Sequence, residues 1–510
     1  MIDFRPILLI LGLLLSTLAV MMVIPAITDI IAGNPDWQVF AVAAGVTLFI
    51  GVSLSLTSRA GGASLSVRQA FILTTLSWIV LTAFAALPFA FSQLNLSVTD
   101  AFFEAMSGIT TTGSTIITSL DTAPPGILLW RSLLQWLGGI GIIVMALAVM
   151  PLLRVGGMQL FRMESSDLSE KALPRAAQVA AAITAIYVIL TIIWAALLWF
   201  VGMTGFDAVS HAMTTIATGG FSNYDASIGH FNSAEIDIIV TVGMIIGSLP
   251  FLLYLMVLQG KPGNLFRDSQ VQLFLTILTI IILVVAGWLW LENAEEPFHA
   301  LRLAAFNVVS IMTGTGYVTA GFDEWGSFAI PIFFFMMFVG GCAGSTTCGI
   351  KIFRFQILYA AARMQFYNLA QPHGVYIPYY NRRPIPEEVI GSVMSFFFVF
   401  FATYIGLAIL LGLLGLDFIT SVSAAASAIS NVGPGLGSIV GPEGNYANLP
   451  TAAKWILSMG MLLGRLPKLY IVAPGRRDDP TKSSVRAEAN DENLMVGLFC
   501  LTHQISYLGV

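Results

Sequence analysis

Runs of apolar residues set the first limit on what this chain can fold into. They cover 7–23, 39–56, 140–153, 180–201, 274–290 and 393–414. A helix needs about 20 apolar residues to cross a bilayer, and several of these runs reach that length once their flanks are included. Only 10% of the 510 residues are charged, against roughly a quarter in soluble domains, so a soluble fold is excluded. The first run lacks a small-residue cleavage site and further spans follow, which reads as a retained helix and not a signal peptide. Three cysteines (Cys342, Cys348, Cys500) cannot make a disulfide framework, and none has the partner ligands that zinc needs. The net charge of −5 gives no basis for nucleic-acid binding.

Basic stretches mark the cytoplasmic side of a membrane protein. Arg5, Arg59 with Arg68, 154–175, 261–267, 351–383 and the chain from Lys468 onward are basic. Between them lie acidic stretches: Asp100, Glu104 and Asp121; Asp207, Asp225, Glu235 and Asp237; Glu292, Glu295, Glu296, Asp323 and Glu324. This alternation calls for two spanning segments between successive basic stretches, an outward excursion in each, and a cytoplasmic N-terminus. Arg131, Arg302 and Lys454 are the exceptions near the outer side.

Each outward excursion carries a copy of one pattern. The copies read AMSGITTTGS (105–114), AMTTIATGGF (212–221), VVSIMTGTGY (308–317) and AASAISNVGP (425–434), aligned on Gly113, Gly220, Gly316 and Gly433. Gly435 and Gly437 offer other registers for the fourth. Asp100 and Asp207 each precede their glycine by thirteen positions. A short apolar half-helix precedes each Thr/Gly strand and is too short to span. Non-helical backbone at membrane depth is tolerated only where it is buried in protein or lines water. Four copies between spanning helices are most economically buried around one axis, whereas a single copy would read as a kink or a small-residue packing site.

Such strands suit a cation. Inward-turned backbone carbonyls replace its water shell, glycine reaches the positive φ that turns them, and threonine adds uncharged oxygen. The half-helix aims its negative C-terminal end at the ion, and acidic outer loops concentrate cations at the mouth.

With TTTGS (110–114), IATGGF (216–221), MTGTGY (312–317), SNVGPG (430–435) and GGCAGSTTCGIKIFR (340–354) in hand, the chain resembles the TrkH/Ktr superfamily of potassium transporters, TrkH type, over residues 1 to about 466. The resemblance implies an all-α polytopic membrane protein: two N-terminal helices (1–66) and four helix–pore-loop–helix repeats (67–175, 176–268, 269–385, 386–466) around a pseudo-fourfold ion pore. It places potassium at Thr111, Thr112 and Gly113; Thr218, Gly219 and Gly220; Gly314, Thr315 and Gly316; and Asn431, Val432 and Gly433. The strands differ, so the filter is expected to be less stringent than that of tetrameric channels and to pass rubidium and sodium as well. It further implies bacterial inner-membrane localisation, a homodimer, and a separate cytoplasmic ring that binds nucleotides and grips basic loops such as 154–175 and 354–383.

The second helix of the third repeat is interrupted by GGCAGSTTCG (340–349). Ten small and polar residues do not hold a straight helix. The resemblance makes this an intramembrane loop that obstructs the pore, with Gly340, Gly341, Gly344, Ser345, Thr346, Thr347, Gly349 and the adjacent Lys351 as gating residues. The loop is not a Walker motif, because Lys351 follows Ile350 and not glycine. Arg465 lies in the last apolar segment, where a charge is a functional hypothesis by default. The resemblance points it into the pore to repel cations, against a bland reading in which it reaches for the inner surface. After Leu466 the pattern departs: Pro467 ends the helix and an atypical polar tail (467–510) follows.

No cofactor and no catalytic cluster are expected. His211, His230, His299, His373 and His503 show no metal spacing, and His211, in the second half-helix, reads as structural. The alternative to a channel-like uptake pore is an ion-coupled, symporter-like secondary cation transporter with broken helices. That reading calls for inverted repeats and buried ionisable groups, whereas these repeats are parallel and the spans carry no evident proton-relay carboxylate.

Overall fold

A computed structural model describes residues 3–58, 67–148, 176–292, 295–381 and 383–466. The basic stretch 154–175 and the tail 467–510 lie outside the described residues. The described residues are mostly helical. Six of its described helices are long and apolar enough to cross a membrane, and up to seven if one bent pair counts as a span.

The first two helices, α1 (Arg5–Ala32) and α2 (Trp37–Thr57), pack against each other through small residues. A Cβ on Gly12 would stand 2.6 Å from the Gly51 carbonyl oxygen and one on Gly51 2.7 Å from Ser16 Oγ. Backbones this close gain dispersion contact that lipid cannot replace. Gly33 at φ +70° closes α1, and Asn34 donates to Asp29 O at 2.8 Å.

Four units follow. The first is α3 (Val67–Ala85), the short α4 (Leu87–Phe91), the half-helix α5 (Val98–Ile109) and α6 (Pro125–Ala148). The second is α7 (Ala176–Phe200), the half-helix α8 (Gly205–Ile216), then α9 (Ala234–Gly247) and α10 (Phe251–Leu258), with α11 (Gly263–Arg267) after them. The third is α12 (Ser269–Glu292), α13 (Pro297–Thr313), α14 (Ala329–Met336) and α15 (Ile352–Ala370). A two-residue pairing of Tyr379–Tyr380 with Arg383–Pro384 leads to the fourth: α16 (Glu387–Leu413), the half-helix α17 (Phe418–Ser430) and α18 (Thr451–Arg465). The half-helices α5 and α8 have 12 residues each, about 18 Å at 1.5 Å per residue, well short of a bilayer core.

Capping fixes where three of them start. Ser97, Thr204 and Asp417 accept from the backbone N–H of Asp100, Asp207 and Thr420. In the first two the acid also answers the cap, Ser97 Oγ donating to Asp100 Oδ2 at 2.7 Å and Thr204 Oγ1 to Asp207 Oδ2 at 2.6 Å. The matched acids thirteen residues before the glycines are thus the third helical residues of capping boxes. The second helix of three units carries a glycine where the half-helix ends. A Cβ on Gly138, Gly247 or Gly464 would crowd the carbonyl oxygen of Ile109, Ile216 or Ile429.

Two spans are broken. The third unit's outer helix stops at Met336 and resumes at Ile352, as the glycine-rich sequence predicts. The second break is new: α9 and α10 meet at 93° across Ser248–Leu249–Pro250. Pro250 supplies no N–H, and its ring excludes a continuous helix there.

Candidate functional site: a ring of glycines and carbonyls

All four half-helices end the same way. The residue two before the aligned glycine is left-handed: Thr111 (φ 53°), Thr218 (49°), Gly314 (69°) and Asn431 (53°). Its N–H returns to the carbonyl three residues back, and the next N–H, from Thr112, Gly219, Thr315 or Val432, returns to Ser107, Thr214, Ser310 or Ser427 at 2.8–3.1 Å. This double closure is a Schellman turn. A left-handed threonine costs about 1–2 kcal/mol over glycine, so Thr111 and Thr218 are held there by their surroundings.

The aligned glycines then take φ of 88°, 78°, 84° and 109° at Gly113, Gly220, Gly316 and Gly433. Each faces a carbonyl of the next strand. A Cβ on Gly113 would overlap Gly219 O, one on Gly220 would overlap Thr315 O, and one on Gly316 would overlap Val432 O. One on Gly433 would come within 2.9 Å of Thr112 O, which closes the cycle. The first strand is joined to the fourth by Ser114 Oγ donating to Gly433 O at 2.8 Å and Asn431 Nδ2 to Thr112 Oγ1 at 2.7 Å. The twelve filter residues expected from the sequence are therefore in one place, and the register on Gly433 is the one that completes the ring.

The threonine hydroxyls are engaged in holding the strands. Thr110 and Thr112 pair at 2.7 Å, as do Thr313 and Thr315, while Thr218 Oγ1 donates to Thr346 Oγ1 at 3.1 Å. Backbone carbonyls are the oxygens left for a ligand. Thr112 O, Thr315 O and Val432 O accept from no donor among the described residues.

The sequence reading missed a clasp nine residues before three of the four glycines. Glu104 accepts from Ile116 N at 2.8 Å, His211 Nε2 meets Ser222 Oγ at 3.0 Å, and Asn307 Nδ2 donates to Thr319 Oγ1 at 2.9 Å. Each ties the half-helix to the outgoing strand. In the fourth unit Ala424 holds that place, and Ser423 takes over by accepting from Leu436 N at 2.9 Å.

The exceptional outer cations are paired. Arg131 Nε lies 2.8 Å from Glu104 Oε1 with both side chains buried, and Arg131 NH1 donates to Ser222 O at 2.6 Å. Lys454 Nζ lies 2.5 Å from Asp100, and Arg302 3.6 Å from Asp237. Part of the acidic outer set is thus engaged in internal pairs. Glu104, Asp207 and Asp237 are buried, and Asp100 is engaged with Lys454. Asp121, Asp225, Glu235, Glu292, Glu296 and Glu324 remain exposed. A correction concerns carboxylates within spans: Asp29, in the last turn of α1, is fully buried. Its Oδ1 accepts from Gly126 N at 2.7 Å and its Oδ2 has no partner.

The interrupted segment folds into a loop at the half-helix C-termini. Val339 and Ile350 bridge in parallel at its base. Its crown seats in the second unit's broken span: Cys342 N donates to Ser248 O at 3.1 Å, Thr346 N to Gly247 O at 3.2 Å, and Phe251 N to Gly344 O at 3.0 Å. Cys348 Sγ stands 3.7 Å from Thr111 Oγ1. Gly341, against Thr347 and Ser248 O, has no room for a side chain. Lys351 turns back into the loop. Its Nζ donates to Thr347 O, to Thr347 Oγ1 at 2.7 Å and to Ser345 Oγ at 3.3 Å, fastening the loop to itself. Arg465 is buried. It donates to Cys348 Sγ and, at 3.2 Å, to Gly138 O, with its guanidinium 5.7 Å from the Trp78 ring centre. The structure thus joins the loop, Arg465 and the deep end of the ring. Among the described residues no group of three or more His, Cys, Asp or Glu could hold a metal ion.

A multi-pass helical membrane protein of this architecture belongs to the class of membrane transport proteins. The chain is a member of the TrkH family, described as cation transport proteins, which matches residues 37–473, a few residues past Leu466. It is a transporter-family protein and not an enzyme. It is 45% identical over 472 residues to the Trk system potassium uptake protein TrkI of Halomonas elongata, covering 92% of this chain and 95% of that one. It is 36% identical over 469 residues to TrkH of Escherichia coli, covering 91% and 96%. The crystal structure of the potassium transporter TrkH from Vibrio parahaemolyticus superposes with a TM-score of 0.85 at 35% identity, covering 92% of this chain and 98% of that one.

Proposed function

We propose that the chain takes up potassium across the bacterial inner membrane through the axis of the ring. The observation that carries this reading is the cyclic contact of Gly113, Gly220, Gly316 and Gly433 with the next strand's carbonyl, which gathers uncharged oxygens from all four strands at one level. Relatives that carry potassium in their names support the choice of ion. A dehydrated potassium ion exchanges water for carbonyl oxygen, and four half-helix C-termini favour its charge. The membrane potential drives it inward with about 2.3 kcal/mol per 100 mV. The loop 340–349 and Arg465 form the gate: the loop fills the path below the ring, and a buried guanidinium repels a cation arriving there. Opening withdraws both.

In this reading the N-terminus is cytoplasmic, two copies form a dimer, and a nucleotide-binding ring subunit docks on the basic 354–383 face and on 154–175. Potassium uptake by liposomes holding the purified chain, read with radiolabelled Rb⁺ and competed by K⁺, tests it. Saturable Rb⁺ entry with the potential negative inside is expected, and its absence in the loop-loosened Lys351→Ala variant as well as in the native chain would end the reading. The second reading, an ion-coupled secondary transporter, draws on one observation, the buried Asp29 with an unpaired oxygen. Proton entry accompanying Rb⁺, abolished by Asp29→Asn, would favour it.

A further inference from the structure

We infer that Gln135 sets cation discrimination by occupying one carbonyl of the ring, an inference that rests on the filter reading above. Four equivalent carbonyls, those of Thr112, Gly219, Thr315 and Val432, face the four glycines. Three accept from no donor among the described residues. The fourth, Gly219 O, receives Gln135 Nε2 at 2.5 Å. The same amide accepts from Phe221 N at 3.0 Å through Oε1. That second bond fixes the orientation of the amide, because only its oxygen can face an N–H.

Gln135 is fully buried on α6, and Arg131, one turn earlier on the same helix, holds Ser222 O. The second strand is therefore fastened at residues 219, 221 and 222 to a helix of the first unit. The first and fourth strands are fastened mainly to each other and to their own units.

Two physical effects follow. A carbonyl already accepting a hydrogen bond offers less negative potential to an ion, so the ring is unequal. A carbonyl pinned from behind cannot swing inward, so the ring cannot contract onto an ion smaller than potassium. Gln135 is a positioning residue acting through Gly219, and its removal frees the ring to close on sodium.

Radiolabelled Rb⁺ and Na⁺ uptake by liposomes holding the full chain tests this, comparing native protein, Gln135→Met and Gln135→Glu, with thermal stability in detergent measured alongside. Methionine keeps the volume and loses both bonds; glutamate, assayed at a pH where it is ionised, keeps the acceptor for Phe221 N and loses the donor to Gly219 O. Both should lower the half-saturating Na⁺ concentration relative to Rb⁺ by about fivefold, the ratio that one ordinary hydrogen bond commands, while Rb⁺ uptake persists. A parallel fall for both cations with an unchanged ratio would make Gln135 merely structural and overturn the inference. So would a Gln135→Glu variant that discriminates like the native chain, since the Phe221 bond alone would then suffice. Gly113→Ser separates the levels: if it changes the ratio and the Gln135 variants do not, only this inference fails; if none of the three does, the filter reading fails with it.

Discussion

Arg465, in the last helix of the fourth unit, donates to the thiol of Cys348, in the loop of the third, directly beneath Thr111 of the first strand. In the reading proposed above, a cation leaving the ring meets this guanidinium. Arg465→Ala should therefore raise Rb⁺ flux through the otherwise closed protein. Lowering the barrier by about 1.4 kcal/mol would give a roughly tenfold rise. Arg465→Lys should stay near the native rate. Liposome flux without any partner subunit reads both, and an unchanged Arg465→Ala rate would remove Arg465 from the gate.

Lys351 stabilises the loop from within through Thr347 and Ser345. Lys351→Met should free the crown and raise flux without altering the Rb⁺ to Na⁺ ratio, because it touches no ring residue. A changed ratio would mean that the loop also shapes the filter.

Gly316 has no space for a side chain and stands at φ +84°. Gly316→Ala should push the third strand from the fourth, and Gly113→Ser the first from the second. Each should loosen discrimination between K⁺ and Na⁺. The measurement is Na⁺ competition against Rb⁺ uptake, and undiminished selectivity in both variants would count against the ring as filter.

Arg131 and Glu104 form a buried ion pair. Removing one partner leaves an uncompensated charge, at about 3–5 kcal/mol. Arg131→Met and Glu104→Gln should each lower the melting temperature in detergent markedly. The double Arg131→Met, Glu104→Gln should melt above the value expected from adding the two singles, because no lone charge remains. A double variant as unstable as the sum of the singles would show the pair to be uncoupled.

The helical class and the four glycines were readable from sequence because both are local: apolar length fixes the spans, and a glycine in a polar run flags positive φ. The break at 340–349 was readable for the same reason, its ten small and polar residues being contiguous. Thr111 and Thr218 at left-handed φ were not, since a β-branched residue argues against that conformation and only the Schellman bonds impose it. The 93° break at Pro250 was hidden by apolar residues on both sides of it. Gln135 and Arg131 were invisible as scaffolding because their partners lie 84 and 91 residues away, and no short spacing encodes such a pair. The matched acids Asp100 and Asp207 were noticed, but not that they answer the capping hydroxyls of Ser97 and Thr204.

The seam between the first and last strands joins residues 319 positions apart in the chain. Nothing nearer in sequence can supply Asn431 to Thr112 or Gly433 to Ser114. During synthesis the first three strands thus enter the bilayer with one side of their circle missing, and that gap persists until the closing segment is inserted.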